Sequence, residues 1–277
     1  MDFKVKISDK AFNQISELMQ RTIGLNLSTK KKAMVHSRLS KRLRELNLDS
    51  FDEYYQLLNE SESELVHLCN LLTTNVTKFF REKYHFQFLQ DRVLPQIKAD
   101  KCNKKIRIWS AGCSSGEEVY SLAIILREFF DDDWDIKILA TDINTEVLRL
   151  AKKGIYHQRQ IKPIPYKLLT KYFKLGEGKN KGLFKVKQHL NELVVFKRLN
   201  LNQSTEYPIK SELDFVFCRN VFIYFKKKTR EQVLHRFYNY IKDNGYLFLG
   251  HSESINGSSG LAEKWKLIQQ TTYQKMK

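Results

Sequence analysis

The spacing of apolar residues predicts four amphipathic helices in the first quarter of the chain. Each helix follows a serine that can cap its N-terminus, and two of these serines, Ser50 and Ser61, stand three residues before a glutamate in a capping box. The second helix, after Ser28, places four apolar residues on one face: Val35, Leu39, Leu43 and Leu46. The pattern therefore predicts an all-helical N-terminal domain over residues 1–73.

After residue 100 the pattern changes to strands that alternate with helices. A β-rich segment at 106–111 leads into a turn of small residues and an amphipathic helix, and the next β-rich segment ends at Asp142. Two further runs, 213–218 and 246–249, have the composition of buried strands. This alternation is typical of a Rossmann-like, doubly wound α/β sheet.

Residues 155–199 interrupt the alternation, because prolines and glycines divide them into short pieces. Two pieces, 183–186 and 193–196, have the composition of strands and are expected to pair with each other through a turn. Strands that return in a hairpin do not belong to a doubly wound sheet. We therefore expect a small inserted antiparallel β subdomain at about residues 165–198.

Two further boundaries complete the predicted domain organisation. A linker and a connecting helix occupy residues 74–100, and the helix is expected to end near Pro95, because proline interrupts helices. The domain that carries the α/β sheet and its insertion spans residues 101–277.

The turn after the first strand has features of a nucleoside site. Gly112 and Gly116 let the backbone approach a ligand closely, and the following helix offers free N–H groups. Glu117 and Glu118 oppose a phosphate and favour a cationic group, while Asp142 can accept hydrogen bonds from both ribose hydroxyls. The pattern favours S-adenosylmethionine, which has a ribose and an ammonium but no phosphate, over a dinucleotide. An ordinary α/β turn is the alternative.

Composition excludes several classes of protein. Within the 277 residues, no apolar run approaches the roughly 20 residues of a membrane-spanning helix, so no membrane insertion is expected. The four cysteines are scattered without C-x-x-C spacing, which indicates reduced thiols in a cytoplasmic protein. The seven histidines show no ligand spacing, and we expect no metal site.

The net charge of +17 is concentrated in two segments. Residues 149–200 contain fourteen Lys and Arg against two acidic residues, and residues 28–46 contain seven against Glu45 alone. Two basic surfaces of this kind imply an acidic partner: nucleic acid, anionic lipid or an acidic protein. A solvated basic face is the alternative.

Several motifs occur together in an order and spacing that are specific to one family. They are Thr74-Asn75-x-Thr77-x-Phe79-Phe80-Arg81-Glu82, Trp109-Ser110-Ala111, Ser115-Gly116-Glu117-Glu118, Thr141-Asp142, Asn200-Leu201, Cys218-Arg219-Asn220-Val221-x-Ile223-Tyr224-Phe225 and Gly250-His251-Ser252-Glu253. With them the chain resembles the CheR-type chemotaxis receptor methyltransferases along essentially its whole length. The resemblance implies a class I methyltransferase domain that transfers methyl from S-adenosylmethionine to glutamate side chains of chemoreceptors, leaving S-adenosylhomocysteine.

The resemblance also implies which residues form the site. The expected cofactor contacts are Asn75, Thr77, Arg81, Glu117, Asp142, Asn200, Leu201, Arg219 and Asn220. Glu117 suits the methionyl ammonium and Asp142 the ribose, while Asn200 and Leu201 would lie near the adenine. Arg81 and Tyr224 are the candidates for holding the acceptor glutamate in catalysis.

The expected partners of this monomer are acidic segments of chemoreceptors. The basic second helix would steer an acidic helical signalling bundle through Lys31, Arg38, Lys41, Arg42 and Arg44. The glycine-rich turn of the insertion, with Gly176, Gly178 and Gly182, resembles family members that bind a tether peptide at a receptor's C-terminus. An exposed turn is the alternative there. A nucleic-acid methyltransferase and a non-catalytic cofactor-binding scaffold are the competing functions, and no nucleic-acid partner is expected.

Overall fold

A computed structural model describes residues 6–255 and 262–277. Ten strands form within these ranges: β1 Lys105–Ala111, β2 Asp135–Asp142, β3 Ile155–His157, β4 Phe173–Leu175, β5 Leu183–Val186, β6 Val194–Arg198, β7 Leu213–Cys218, β8 Ile241–Leu249, β9 Trp265–Gln269 and β10 Thr272–Lys275. Seven of them make one mixed sheet in the order β6-β2-β1-β7-β8-β10-β9. The first five are parallel and β10 is antiparallel to both its neighbours.

Twelve α-helices lie in the described part of the chain: α1 Asp9–Ile23, α2 Lys32–Leu46, α3 Phe51–Glu60, α4 Glu62–Leu72, α5 Lys83–Phe88, α6 Leu94–Asp100, α7 Glu117–Phe129, α8 Thr145–Lys153, α9 Gln158–Ile161, α10 Tyr166–Tyr172, α11 Gln188–Asn191 and α12 Lys227–Tyr240. The sheet separates two hydrophobic cores: the main core, which contains α5–α7, and a second core, which contains α12. Strand β7 is buried at every position, as a central parallel strand requires. The expected doubly wound α/β fold is confirmed.

The first four helices surround a hydrophobic core of their own. The side chains of Ser8, Ser50 and Ser61 accept a backbone N–H at the start of α1, α3 and α4, as the capping patterns predict. Gly24 ends α1 with a φ of 75°, a conformation in which a side chain would be strained. The all-helical N-terminal domain is thus confirmed.

The expected hairpin between 183–186 and 193–196 is wrong. Strand β5 pairs instead with β3 and β4, in a separate antiparallel sheet ordered β3-β5-β4. Strand β6 pairs in parallel with β2 at the edge of the large sheet, where Val194 and Phe196 pack against the main core. The small sheet therefore draws on residues 155–186, whereas the expected limits of 165–198 omit β3 and include β6.

The connecting helix does not end near Pro95, as the sequence suggested. It continues from α5 through a π-helical turn, Leu89–Val93, into α6. Pro95 falls in the first turn of α6, where a missing N–H is tolerated and the fixed φ suits a helix. The helix therefore continues beyond the proline after one π-helical turn.

Short polar contacts join the helical N-terminal domain to the rest. Leu25 forms an isolated antiparallel bridge with Phe225, and the N–H of Asn26 donates to the carbonyl of Tyr224 at 2.8 Å. The side chain of Asn70 bonds both the hydroxyl and the backbone N–H of Thr145 at the start of α8, each at 2.9 Å. These contacts bring α1 and α4 to the edge of the sheet where β1, β2 and β7 end.

Candidate functional site

A cavity of about 220 Å³ lies at the carboxyl ends of the parallel strands. This is the edge at which doubly wound sheets bind their ligands. Eight of the nine expected cofactor contacts line it: Asn75, Thr77, Arg81, Asp142, Asn200, Leu201, Arg219 and Asn220. Tyr224 lines it as well. The structure thus brings together residues from the linker, two strand ends and the loop after β7.

Gly112 allows two loops to meet at the floor of the cavity. Its φ is 85°, and a Cβ at this position would lie 2.4 Å from Cγ2 of Val221. A side chain would therefore be strained and would also push the loop after β7 away. The glycine therefore lets the two loops meet beside the cavity.

Asp142 ends β2 with its carboxylate buried beside the same turn. One oxygen accepts from the N–H of Ser114 and the other from the N–H of Asn144, both at 2.9 Å. Burial raises the pKa of Asp142, and the backbone N–H groups oppose that rise. The two N–H groups fix the carboxylate, and its remaining lone pairs can accept from a pair of hydroxyls.

The two glutamates at the start of α7 point to different places. The carboxylate of Glu117 accepts from the hydroxyl of Ser115 at 2.6 Å and from the amide of Gln160 at 3.0 Å, on the side of the β insertion. Glu118 lines the cavity instead and accepts from the hydroxyl of Ser110 at 2.8 Å. Glu118 rather than Glu117 therefore faces the cavity, because adjacent helical positions diverge by about 100°. The expected cofactor contact at Glu117 stays a prediction, and Glu118 is the carboxylate that the cavity offers instead.

Arg219 connects Glu118 to the linker. Its Nη1 donates to Glu118 at 3.2 Å, and its Nη2 lies 3.1 Å from Glu82 and also donates to the backbone carbonyl of Arg81. The guanidinium is buried, so these charge-assisted bonds hold it firmly. Burial raises the pKa of Glu118, and Arg219 opposes the rise.

A buried carboxylate that the sequence assigned no role, Glu253, shapes the loop after β7. It accepts from three backbone N–H groups, those of Asn220 at 2.9 Å, Ile223 at 3.1 Å and Gly250 at 2.7 Å. Asn220 has a φ of 58°, in the left-handed region. Glu253 therefore fixes the loop that presents Asn220 and Tyr224 to the cavity. Only the tertiary structure reveals this role, although its motif was visible in the sequence.

The linker also lines the cavity. Arg81 lines the cavity, and its Nη1 donates to the carbonyl of Val76 at 2.7 Å. The carbonyl of Asn75 accepts from the hydroxyl of Ser114 at 3.0 Å, which ties the linker to the turn after β1. Phe79 is buried in the main core, which explains why phenylalanine interrupts an otherwise polar linker.

The N-terminal domain completes the cavity. Ile23 and Leu25 line it beside Leu201. The side-chain amide of Asn200 donates to the carbonyl of Thr22 at 2.6 Å, so the predicted adenine-side residue also joins the two domains.

The basic residues of the second helix fall into two groups. Arg42 forms a bidentate pair with buried Glu64 at 3.0 and 2.6 Å, and Arg38 donates to the carbonyls of Leu71 and Thr73 at 2.9 and 3.1 Å. Lys41 and Arg44 are exposed, and Lys31 is half-buried. The structure therefore gives Arg38 and Arg42 internal roles and leaves the steering role of all five residues a prediction.

Gly176, Gly178 and Gly182 lie in the turn that joins β4 to β5 in the small sheet. A Cβ at Gly176 would lie 2.3 Å from the carbonyl oxygen of Asn180, so the turn closes tightly on itself at this point. Gly178 and Gly182 have φ values of 54° and 85°. Their part in peptide binding stays a prediction.

No group of histidine, cysteine, aspartate or glutamate in residues 6–255 and 262–277 is arranged to hold a metal ion. Across the same described ranges, no helix is long and apolar enough to cross a membrane.

The cavity fits S-adenosylmethionine by its chemistry. Glu118 offers a carboxylate for an ammonium and Asp142 one for ribose hydroxyls, while Ile143 and Leu201 offer apolar walls to an adenine. The buried amide oxygen of Asn220 has no hydrogen-bond partner among the described residues, so it can accept from a ligand. Together with the sheet order, these groups define a class I, S-adenosylmethionine-dependent methyltransferase.

Comparison with known proteins identifies the family. Residues 75–273 match the model for the CheR methyltransferase, SAM binding domain, and residues 10–73 match that for the CheR methyltransferase, all-alpha domain. The chain is 39% identical to a chemotaxis protein methyltransferase of Borreliella burgdorferi, with 99% of this chain and 97% of the relative covered. It is 40% identical to chemotaxis protein methyltransferase 2 of Pseudomonas aeruginosa, with 95% and 91% covered, and 39% identical to a chemotaxis protein methyltransferase of Escherichia coli, with 99% and 93% covered. The chain belongs to the CheR methyltransferase family.

Proposed function

We propose that this protein transfers methyl from S-adenosylmethionine to glutamate side chains of chemoreceptors during sensory adaptation, working in the cytoplasm as a monomer. The observation that carries the proposal is the cavity that Glu118, Asp142, Arg81 and Tyr224 line together. The curated relatives named chemotaxis protein methyltransferases support the choice of substrate.

The chain's own residues need only position the reactants. S-adenosylmethionine supplies an activated methyl group on a sulfonium. A glutamate with a pKa of about 4.3 is ionised at neutral pH, so its carboxylate oxygen can attack without a general base. Arg81 and Tyr224 hold that carboxylate in line, and the loops around Gly112 and Val221 exclude water. Such alignment can recover roughly 7–11 kcal/mol of the barrier.

The decisive experiment measures transfer of tritiated methyl to membranes that contain chemoreceptors, with RNA as a competing substrate. Label is expected in the receptors as an alkali-labile ester, and Asp142→Ala should weaken the binding of both S-adenosylmethionine and S-adenosylhomocysteine in calorimetry. Label in RNA but not in receptors would contradict the proposal.

The competing functions have less support. Base-amino methyltransferases carry a proline-containing motif after the fourth strand of the fold, where this chain has Arg219-Asn220-Val221-Phe222. A non-catalytic scaffold would bind the cofactor without transferring methyl, so the same assay distinguishes it.

The β insertion is the proposed site for a receptor tether peptide. Strands β3 and β4 are the two edges of the small sheet, so each offers backbone groups to an added strand. The exposed lysines around the turn, Lys174, Lys179, Lys181 and Lys185, favour an acidic peptide or its terminal carboxylate. A tether would raise the local concentration of receptor without changing the chemistry.

Shortening the turn tests this site. Removal of three residues from 176–181 should abolish the binding of C-terminal pentapeptides from the host's own receptors while sparing cofactor binding. If no such pentapeptide binds the wild-type protein below millimolar concentration, the insertion is not a tether site.

A further inference from the structure

Two large apolar side chains are exposed at the mouth of the cavity. Val76 in the linker is 75% exposed and Ile223 in the loop after β7 is 45% exposed, yet both belong to the cavity lining. They come from segments that are far apart in sequence and that both line the cavity. Apolar side chains exposed around a binding cavity mark an interaction surface.

Two groups of lysines adjoin residues that line the cavity. Lys31 places its Nζ 5.4 Å from the ring centroid of Tyr224, which lines the cavity. Lys226, Lys227 and Lys228 begin immediately after Phe225, which also lines the cavity. All three are exposed.

The bridge between Leu25 and Phe225 brings these two groups together, although about 200 residues separate them in sequence. Lys227 lies 4.0 Å from Glu231 in the next turn of α12. Lys226 and Lys228 have no ion-pair partner among the residues that the structure describes, so their charges are free to meet a ligand.

We propose that these residues form a docking surface for one α-helix of an acidic helical bundle, and we call Val76, Ile223, Lys31, Lys226 and Lys228 the rim. Small apolar side chains of the bound helix pack against Val76 and Ile223. Its acidic side chains face the lysines, and one glutamate enters the cavity beside Tyr224. This inference rests on the proposed function and specifies how its substrate is recognised.

Charge and shape both favour this partner. The rim carries three lysines, Lys31, Lys226 and Lys228, whose charges attract an acidic surface within the Debye length of about 10 Å. A helix can present glutamates and small apolar residues on adjacent faces, which matches the exposed apolar side chains of Val76 and Ile223 beside the lysines. Rim charges of this kind act mainly on association and on salt dependence.

The test compares a rim variant with a variant of equal net charge. The rim variant combines Lys226→Glu and Lys228→Glu, and the control combines Lys105→Glu and Lys266→Glu. Lys105 is exposed at the amino end of β1, opposite the cavity, and Lys266 is exposed on the edge strand β9. The substrate is the purified cytoplasmic fragment of a chemoreceptor from the same organism.

At low salt the rim variant should raise KM for the receptor fragment by about tenfold, with kcat and the Kd for S-adenosylhomocysteine unchanged. The difference should shrink at high salt, and the control should change KM by less than about threefold. A separate change, Val76→Ser, should raise KM at every salt concentration, because it removes apolar contact rather than charge.

An equal rise of KM in the control would show that net charge alone matters and would overturn the proposal. An unchanged KM in the rim variant would also overturn it, as would a rim that binds single-stranded RNA more tightly than the receptor fragment. If the wild-type protein binds S-adenosylhomocysteine but methylates no receptor fragment, the proposed function itself fails.

Discussion

Glu117 and Glu118 differ in what their carboxylates can still bind. Both oxygens of Glu117 already accept hydrogen bonds, from Ser115 and Gln160. Glu118 is held by Arg219 and by Ser110 while it faces the cavity. Because only Glu118 of the two lines the cavity, the neighbours should respond differently to the same substitution.

We expect Glu118→Gln to weaken S-adenosylhomocysteine binding by about 10- to 100-fold, since a hydrogen bond to a charged group contributes about 1.5–3 kcal/mol. Glu117→Gln keeps an oxygen for the amide of Gln160, and its new amide can donate to the hydroxyl of Ser115, so the affinity should change by less than about fivefold. Calorimetry on both folded variants measures the difference. A larger loss of affinity in Glu117→Gln than in Glu118→Gln would indicate that Glu117 contacts the ammonium.

The sequence predicts a site residue well where its position follows from one element alone. Asp142 ends a buried strand, so its place at the sheet edge follows directly from the pattern. The choice between Glu117 and Glu118 depends on the phase of a helix that begins at Glu117, and residue type does not determine that phase. The role of Glu253 depends on three backbone groups from two loops, which only the folded chain brings together.

At the scale of elements, strand composition did not determine strand pairing. Residues 193–196 were correctly expected to be extended, but their partner is β2, about 55 residues earlier in the chain, rather than β5. A short apolar run is compatible with a strand of a hairpin or with a parallel strand at the edge of a sheet. The edge position is favoured here because it lets Val194 and Phe196 pack against the main core. Local sequence patterns therefore predicted both strands but not the pairing of β6 with β2.

Some basic residues of α2 form internal contacts, whereas others are exposed to solvent. Arg42 is paired with Glu64, and the hydroxyl of Tyr54 donates to the same carboxylate at 2.8 Å. Burial alone would raise the pKa of Glu64, but the hydrogen bonds from Arg42 and Tyr54 lower it below its ordinary value. The pair therefore stabilises α2 against α3 and α4.

We expect Arg42→Gln to lower the free energy of unfolding by about 2 kcal/mol, because it leaves a mostly buried carboxylate without its charged partner. Thermal unfolding measures the loss. The pKa of Glu64 is lower in the folded state than in the unfolded state. The stability that the ionised pair contributes is therefore fully present above the unfolded pKa of about 4.3 and is lost as the pH falls through the lower, folded pKa. The difference in the free energy of unfolding between the wild type and the Arg42→Gln variant should therefore become smaller at acidic pH.

The exposed residues of the same helix provide the matched control. Lys41→Glu combined with Arg44→Glu should leave the melting temperature nearly unchanged, because neither side chain is buried. This pair is also the better test of receptor steering by the helix. Loss of receptor methylation in a stable Lys41→Glu, Arg44→Glu variant would support steering, whereas a loss in an Arg42 variant could reflect unfolding.

At the scale of the whole molecule, the cavity belongs to both domains. Ile23 and Leu25 of the N-terminal domain line it, and the bond from Asn200 to Thr22 closes the same wall. A ligand in the cavity therefore contacts the helical domain as well as the sheet. Because a ligand that binds the native state stabilises every element it contacts, the two domains should respond to it together.

We expect S-adenosylhomocysteine to slow amide hydrogen exchange in residues 20–27 as well as in the linker and the turn after β1. At a ligand concentration of about 100 times Kd, the added stability is about 2.7 kcal/mol, enough to slow exchange markedly wherever opening breaks the site. Hydrogen–deuterium exchange measured by mass spectrometry resolves these peptides. Helix α3 serves as the internal reference, because none of its residues lines the cavity. Protection confined to residues after 74 would mean that the N-terminal domain opens without disturbing the bound ligand, and that the shared wall adds little to its affinity.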